Sequence, residues 1–399
     1  MFVPSACHED DEPSRPQPGS PGDTLSTTFI FYIAGENSLS NDMASDTLEI
    51  AQALSQIPDS VRVVIFMDDA KSSHLSVGTK YQPMQCVRTW ANNVCATDSA
   101  DMLSVLSEIV KKYPARHYAL ALNSHASGWI FENVGKASVR RYSWGIDNGR
   151  RQSDSNQGRK MNIPTLARVL EQLPHFDFIL FDACFMQCVE VDYELRHVAD
   201  YIIASPAEIP AEGAPYSILL PLLCQLPAND QSVCDIVKTY GDFYVQRGGG
   251  VELSAVATAG LDTLAQVTRP LILQLFGNRS KVDCYDIQHY HPNVSSASFA
   301  PNYDFGHLIY TLAPEAYDDW SSVLELAMPA RYVSSRWLSA YGVGDKYDPH
   351  YERIPEEKME YCSALSLFVP SARYEELGWL SAYHQLEWYH ASGLSETGW

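Results

Sequence analysis

Tyr118-Ala-Leu-Ala-Leu-Asn-Ser-His125 and Phe176-Asp-Phe-Ile-Leu-Phe-Asp-Ala-Cys184 are the stretches whose reading decides the fold. Each is short, almost wholly apolar and bounded by polar or turn residues, the signature of a strand buried on both faces of a parallel sheet. Thr27-Thr-Phe-Ile-Phe-Tyr-Ile-Ala34 and Val61-Arg-Val-Val-Ile-Phe-Met67 have the same character, and Tyr201-Ile-Ile-Ala-Ser205 is a shorter example. Helical spacing fills the intervals, with Ser40 or Asn41 as expected N-cap of the first helix. Another helix is predicted between Met186 and His197, and a hairpin between Lys71 and Asn93. Strand, helix and strand in repetition predict an α/β domain, a parallel-rich sheet sandwiched by helices.

Parallel strands deliver their last residues to one edge of the sheet, where α/β proteins place their chemistry. Here that edge receives an imidazole, His125, and a thiol, Cys184, which together make a base and a nucleophile. Asp182 lies two residues before Cys184, so both side chains leave the same face of an extended strand. A carboxylate at that place would pair with a cationic substrate side chain; its bland alternative is an N-cap for a helix starting near Cys184. Glu212, in the loop after the next strand, is a candidate second negative group. Backbone N–H groups near Ala126, Gly128 and Cys184 are candidates for an oxyanion hole.

The chain has 399 residues with 28 Lys and Arg against 49 Asp and Glu, a net charge of −21. That balance argues against nucleic acid or an anionic membrane as partner and suits cationic peptides. Nine cysteines without a CxxC pair make a disulfide framework or a zinc site unexpected, although Cys86 and Cys95 flank a short polar loop. No apolar run is long enough to span a membrane. Met1-Phe-Val-Pro-Ser-Ala-Cys7, followed by a polar Pro-rich tether, resembles the end of a bacterial lipoprotein signal lacking its basic and apolar parts. The expectation is an exported protein, in the cell envelope through a lipid on Cys7 or extracellular. A frayed cytosolic terminus is the alternative.

Asn123-Ser-His-Ala-Ser-Gly-Trp129, Phe181-Asp-Ala-Cys-Phe-Met186 and Ala199-Asp-Tyr-Ile-Ile-Ala-Ser205 resemble the clostripain-like cysteine peptidases, as does Ala34-Gly-Glu-Asn-Ser-Leu39. The resemblance runs over roughly 27–220 and more faintly beyond. It implies a caspase-like fold, an endopeptidase cutting after Arg or Lys, Cys184 as nucleophile with His125 as partner, and Asp182 in the specificity pocket. It also implies a zymogen cut at a basic residue between the His and Cys strands; Arg150 and Arg151, in the Arg-rich loop between Trp129 and Asn162, are the first candidates. This sequence departs from the family pattern at Ala126, where glycine is usual, at Ser124, where Asp is frequent, and at Glu36, where Asp is common.

The domain reading is a tether over 1–24, a peptidase domain over 25–258 and an α-rich C-terminal subdomain over 259–399. No cofactor is expected: His289 and His291 lack fitting partners, Asp154-Ser-Asn-Gln-Gly158 is too short a fragment to claim a calcium loop, and Gly248-Gly-Gly250 has no phosphate-binding spacing. The rival from another class is a non-catalytic relative, a peptide-binding or envelope-scaffold protein, to which the Ala126 departure points.

Overall fold

The computed structural model of the chain describes residues 25–130, 143–150, 156–291, 301–343 and 346–399. Its frame is a nine-stranded sheet formed by β1 (Leu25–Ala34), β2 (Val61–Asp68), β3 (Ser73–Thr79), β4 (Gln82–Thr89), β5 (Ala115–Asn123) and four later strands. Between these lie two short strands outside the main sheet, β6 (Trp144–Asp147) and β7 (Arg159–Met161). The main sheet resumes with β8 (Phe176–Asp182), β9 (Ala199–Ala204) and β10 (Leu253–Ala257). It ends with β12 (Ala330–Tyr332), after β11 (Asn302–Asp304) has paired elsewhere. The order is β12-β10-β9-β8-β5-β1-β2-β3-β4. The five strands from β9 to β2 run parallel. The β3–β4 pair is the antiparallel hairpin expected between Lys71 and Asn93.

Alternation along the strands sorts the two cores. Phe29, Phe31, Ile33, Phe178 and Leu180 face one side, beneath α1 (Ser40–Ala53), α5 (Tyr216–Leu223) and α6 (Asp230–Gln246). Ile30, Tyr32, Leu120, Leu122, Ile179 and Phe181 face the other. There they meet α2 (Ser99–Lys112), α3 (Ile163–Leu170), α4 (Val189–Glu194) and α7 (Leu261–Phe276). A strand apolar at every position is what burial on both faces requires. The α/β class and the caspase-like sandwich are thereby observed.

Some local expectations give way. Neither Ser40 nor Asn41 caps α1. Leu39 holds that place without a side-chain cap, and Asn37 Oδ1 takes the Leu39 N–H at 2.9 Å. The helix expected from Met186 begins only at Val189, because residues 184–187 form a turn and bonded loop. Beyond residue 258 the chain contains helices, yet β12 joins the main sheet through β10. Trp379, Tyr383 and Trp388 share the core of α2 and α3. A line drawn at 258 therefore passes through common packing. Among the described residues, no helix is long and apolar enough to cross a membrane.

Trp129 ties the chain's end to the segment that carries His125. It is fully buried, with its ring 4.8 Å from those of both Phe368 and Tyr383. Replacing it with Ala should remove about 3–5 kcal/mol of stability, read as a lower denaturant midpoint; an unchanged midpoint would deny it this role.

Candidate active site

The register of β5 against β8 sets Asn123 opposite Asp182, so His125 and Cys184 each follow their strand end by two residues. A cavity of about 400 Å³ opens at that edge and is lined by both. Two glycines permit the close packing around it. Gly128 has φ +71°, and a Cβ there would lie 2.9 Å from the Phe185 carbonyl oxygen, so only hydrogen lets the His125 and Cys184 loops touch. Gly213 has φ +64° and covers the Asp182 carboxyl, which a Cβ would meet at 2.7 Å.

Cys184 is half-buried, and its Sγ accepts the Ile209 N–H at 3.4 Å. Burial, reinforced by the Glu208 charge, pushes its thiol up to about 12. Burial pushes the His125 imidazole down to about 4. Both act in the same sense: burial favours a neutral thiol and a neutral imidazole at neutral pH. The His125 Nε2 lies 2.8 Å from Ser38 Oγ, a partner that sequence reasoning missed. Ser38 sits in the β1–α1 loop, which Asn37 fastens by donating to the carbonyls of Ala34 at 2.8 Å and Ile146 at 3.0 Å. Its neighbourhood in Ala34-Gly-Glu-Asn-Ser-Leu39, directly after a strand end, was the available signal. Ala126 is buried and bridges Trp144 through bonds made by its neighbours, Ser127 N–H to Ser143 O and Gly145 N–H to His125 O. That ring leaves the Ala126 N–H outside the pairing.

Four carboxyl groups line the cavity: Asp42, Asp46, Asp182 and Glu208. Asp182 caps no helix, since α4 starts after Cys188. Its Oδ2 accepts from Tyr216 Oη at 2.8 Å and Asn123 Nδ2 at 3.0 Å, and both oxygens lie 3.1 Å from the Ala214 nitrogen. Burial nonetheless raises its pKa. Glu212 is exposed and is not among the cavity's lining residues; from the same loop Glu208 lines it instead. The chain turns at Gly213, whose N–H bonds the Pro210 carbonyl, and this directs Glu212 outward.

A second acidic cluster lies on the opposite face of the same edge. Glu36, Asp68 and Asp147 place one carboxylate oxygen each within 4.8 Å of one another, a group that could hold a metal ion. The structure sets a guanidinium there: Arg150 pairs with Glu36 at 2.8 Å and with Asp68 at 2.8 Å. Arg150 is therefore drawn toward these carboxylates. Arg151, Cys7, Asp154 and Ser155 lie outside the described residues, and Asn156 Nδ2 donates to Asp147 Oδ1 at 2.5 Å. His291 stacks on Phe185 at 4.8 Å, with its pKa lowered to about 3 by burial, and His289 is lowered too. These two pack among rings and belong to no metal-ligating group among the described residues. Cys86 and Cys95 are free thiols.

The clostripain family model matches residues 31–393. A secreted C11 cysteine protease from Bacteroides thetaiotaomicron, solved in complex with an irreversible peptide inhibitor, is 28% identical with a TM-score of 0.75. The match covers 93% of this chain and 99% of that one. An inactive zymogen C11 protease from Parabacteroides distasonis is 27% identical with a TM-score of 0.74, covering 92% and 98%. A cysteine protease from B. fragilis is 28% identical with a TM-score of 0.53, covering 62% and 98%. Comparison with curated proteins finds no match. A match over nearly the whole length, together with these neighbours, sets aside the non-catalytic alternative: the chain belongs to the clostripain family and is a cysteine-type peptidase.

Proposed function

We propose that this peptidase cuts peptide bonds after Arg or Lys, with Cys184 as nucleophile and His125 as its base. One observation carries the reading: thiol and imidazole line a single cavity together with four carboxyl groups. A cationic side chain entering it would offset the burial and mutual repulsion that hold the Asp46 carboxyl up, at about 9, and the burial that raises Asp182. As substrate fills the cavity, His125 takes the Cys184 proton and the thiolate attacks the scissile carbonyl. The N–H groups of Ala126 and Cys184 are the proposed donors to the resulting oxyanion. His125 then gives its proton to the leaving amine, and a water that it deprotonates hydrolyses the thioester. Ser38 would fix the ring during both transfers.

Cys184→Ala and His125→Ala should each abolish turnover of an Arg-terminated peptide reporter; activity persisting in either variant defeats the assignment. Ser38→Ala should lower kcat by roughly 10- to 100-fold with little change in KM, and Ser38→Thr should restore most of it. Equal losses in both variants would leave the hydroxyl without a role.

The resting charges give a pH test. A thiol raised to about 12 is more ionised the higher the pH, so alkylation by neutral iodoacetamide should keep accelerating past pH 9. A plateau below pH 7 would mean a preformed thiolate–imidazolium pair and contradict the neutral resting state.

Self-processing in the 130–160 loop is supported by the likeness to the Parabacteroides distasonis zymogen and by the basic residues there. Of the two first candidates, Arg150 would have to leave Glu36 and Asp68 to serve. Denaturing electrophoresis should show two fragments for the wild type and one chain for Cys184→Ala; one chain in both removes self-cleavage. Export, with a lipid on Cys7 or as a free protein, fits the secreted Bacteroides thetaiotaomicron relative.

A further inference from the structure

Phe185, the residue after Cys184, has φ +62°, a left-handed backbone that a bulky side chain adopts only where its surroundings enforce it. Three contacts do so. Its N–H donates to the Ala207 carbonyl at 2.9 Å. Its own carbonyl oxygen faces Gly128 so closely that a Cβ there would lie 2.9 Å away. Its ring lies flat on that of His291, with centroids 4.8 Å apart and planes 6° from parallel. The first two contacts come from loops at the site, whereas the third arrives from the later part of the chain. The backbone that carries it is anchored. The Gln288 N–H donates to His307 Nδ1 at 2.9 Å, and the Asp304 N–H to the Gln288 carbonyl at 2.8 Å. Tyr290 Oη donates to Asp304 Oδ2 at 2.8 Å, and Asp304 also accepts from the Ser363 and Ala364 N–H groups. The Nε2 of His291 is buried without a hydrogen-bond partner among the described residues, so the ring meets Phe185 through its face alone.

Resting on Cys184 as nucleophile and its N–H as oxyanion donor, we propose that His291 is a positioning residue for peptide cleavage. By stacking on Phe185 it holds the left-handed turn that aims the Cys184 N–H at the oxygen of the scissile carbonyl. The φ of Phe185 sets the direction in which the chain leaves Cys184. Without the ring, Phe185 relaxes toward negative φ, and the Cys184 N–H swings with it. The thiol stays within reach of small reagents, but the donor geometry that an oxyanion requires is lost.

The test separates those two properties. His291→Ala should lower kcat for the Arg-terminated reporter about 100-fold with KM little changed, the scale of a small misplacement at the reacting centre. Binding of an Arg-terminated peptide aldehyde should weaken by a comparable factor, because its carbonyl oxygen becomes an oxyanion when Sγ adds to the carbon. Alkylation of Cys184 by iodoacetamide should keep its wild-type rate. His291→Phe, which retains a ring face, should recover most of the lost kcat, and His291→Leu, of similar bulk without a ring, should not. The proposal is overturned if His291→Ala keeps the wild-type kcat, or if alkylation falls as far as aldehyde binding. It is also overturned if the Phe and Leu variants are equally impaired or equally active, and that pair decides alone should the alanine variant fail to fold. Turnover by Cys184→Ala would instead bring down the nucleophile assignment, and this proposal with it.

Discussion

Parallel pairing of the strands that end at Ala34, Asn123 and Asp182 is the constraint on which the rest depends. Ile33 pairs with Asn123, and Asn123 with Asp182, so three loops leave the sheet side by side. Strands buried on both faces tolerate no slip, because a shift of one residue would turn every side chain to the opposite layer. The same shift would carry Asp182 away from Tyr216 and Asn123. Hydrocarbon packing thus sets the positions of the polar groups, and the order of strands sets which polar groups meet. β1 has β2 on one side and β5 on the other, a reversal of winding direction, and such reversals open a crevice at the strands' carboxyl ends.

Within that crevice burial works against ionisation. It holds the thiol protonated, the imidazole deprotonated and several carboxyl groups reluctant to charge. Across the sheet, Arg150 pairs with Glu36 and Asp68. Even there burial dominates: Glu36 is pushed up to about 8 and Asp68 to about 7, the Arg150 charge lowering Asp68 against that trend.

Much of this was legible in the sequence, and what was missed has identifiable causes. Cys184, His125 and Asp182 could be placed because each terminates or follows a run whose apolar pattern admits one reading. Glu212 was the wrong choice for the wall, since the path of a loop depends on turns such as that at Gly213; a partner four residues earlier, Glu208, gives no pattern to read. Asp46 went unnoticed, although its place in the stripe of Met43, Ile50 and Ala53 is an anomaly that a helical count exposes. Ser38 had no periodicity to betray it. The strand β12 is three residues long, below what alternation can signal, which is why the later part of the chain looked separate.

The saturation of Asp182 bears on how this lineage can change. Losing that carboxylate would strand a backbone amide, a phenol and a carboxamide under the cover of Gly213, so mutation there damages folding along with preference.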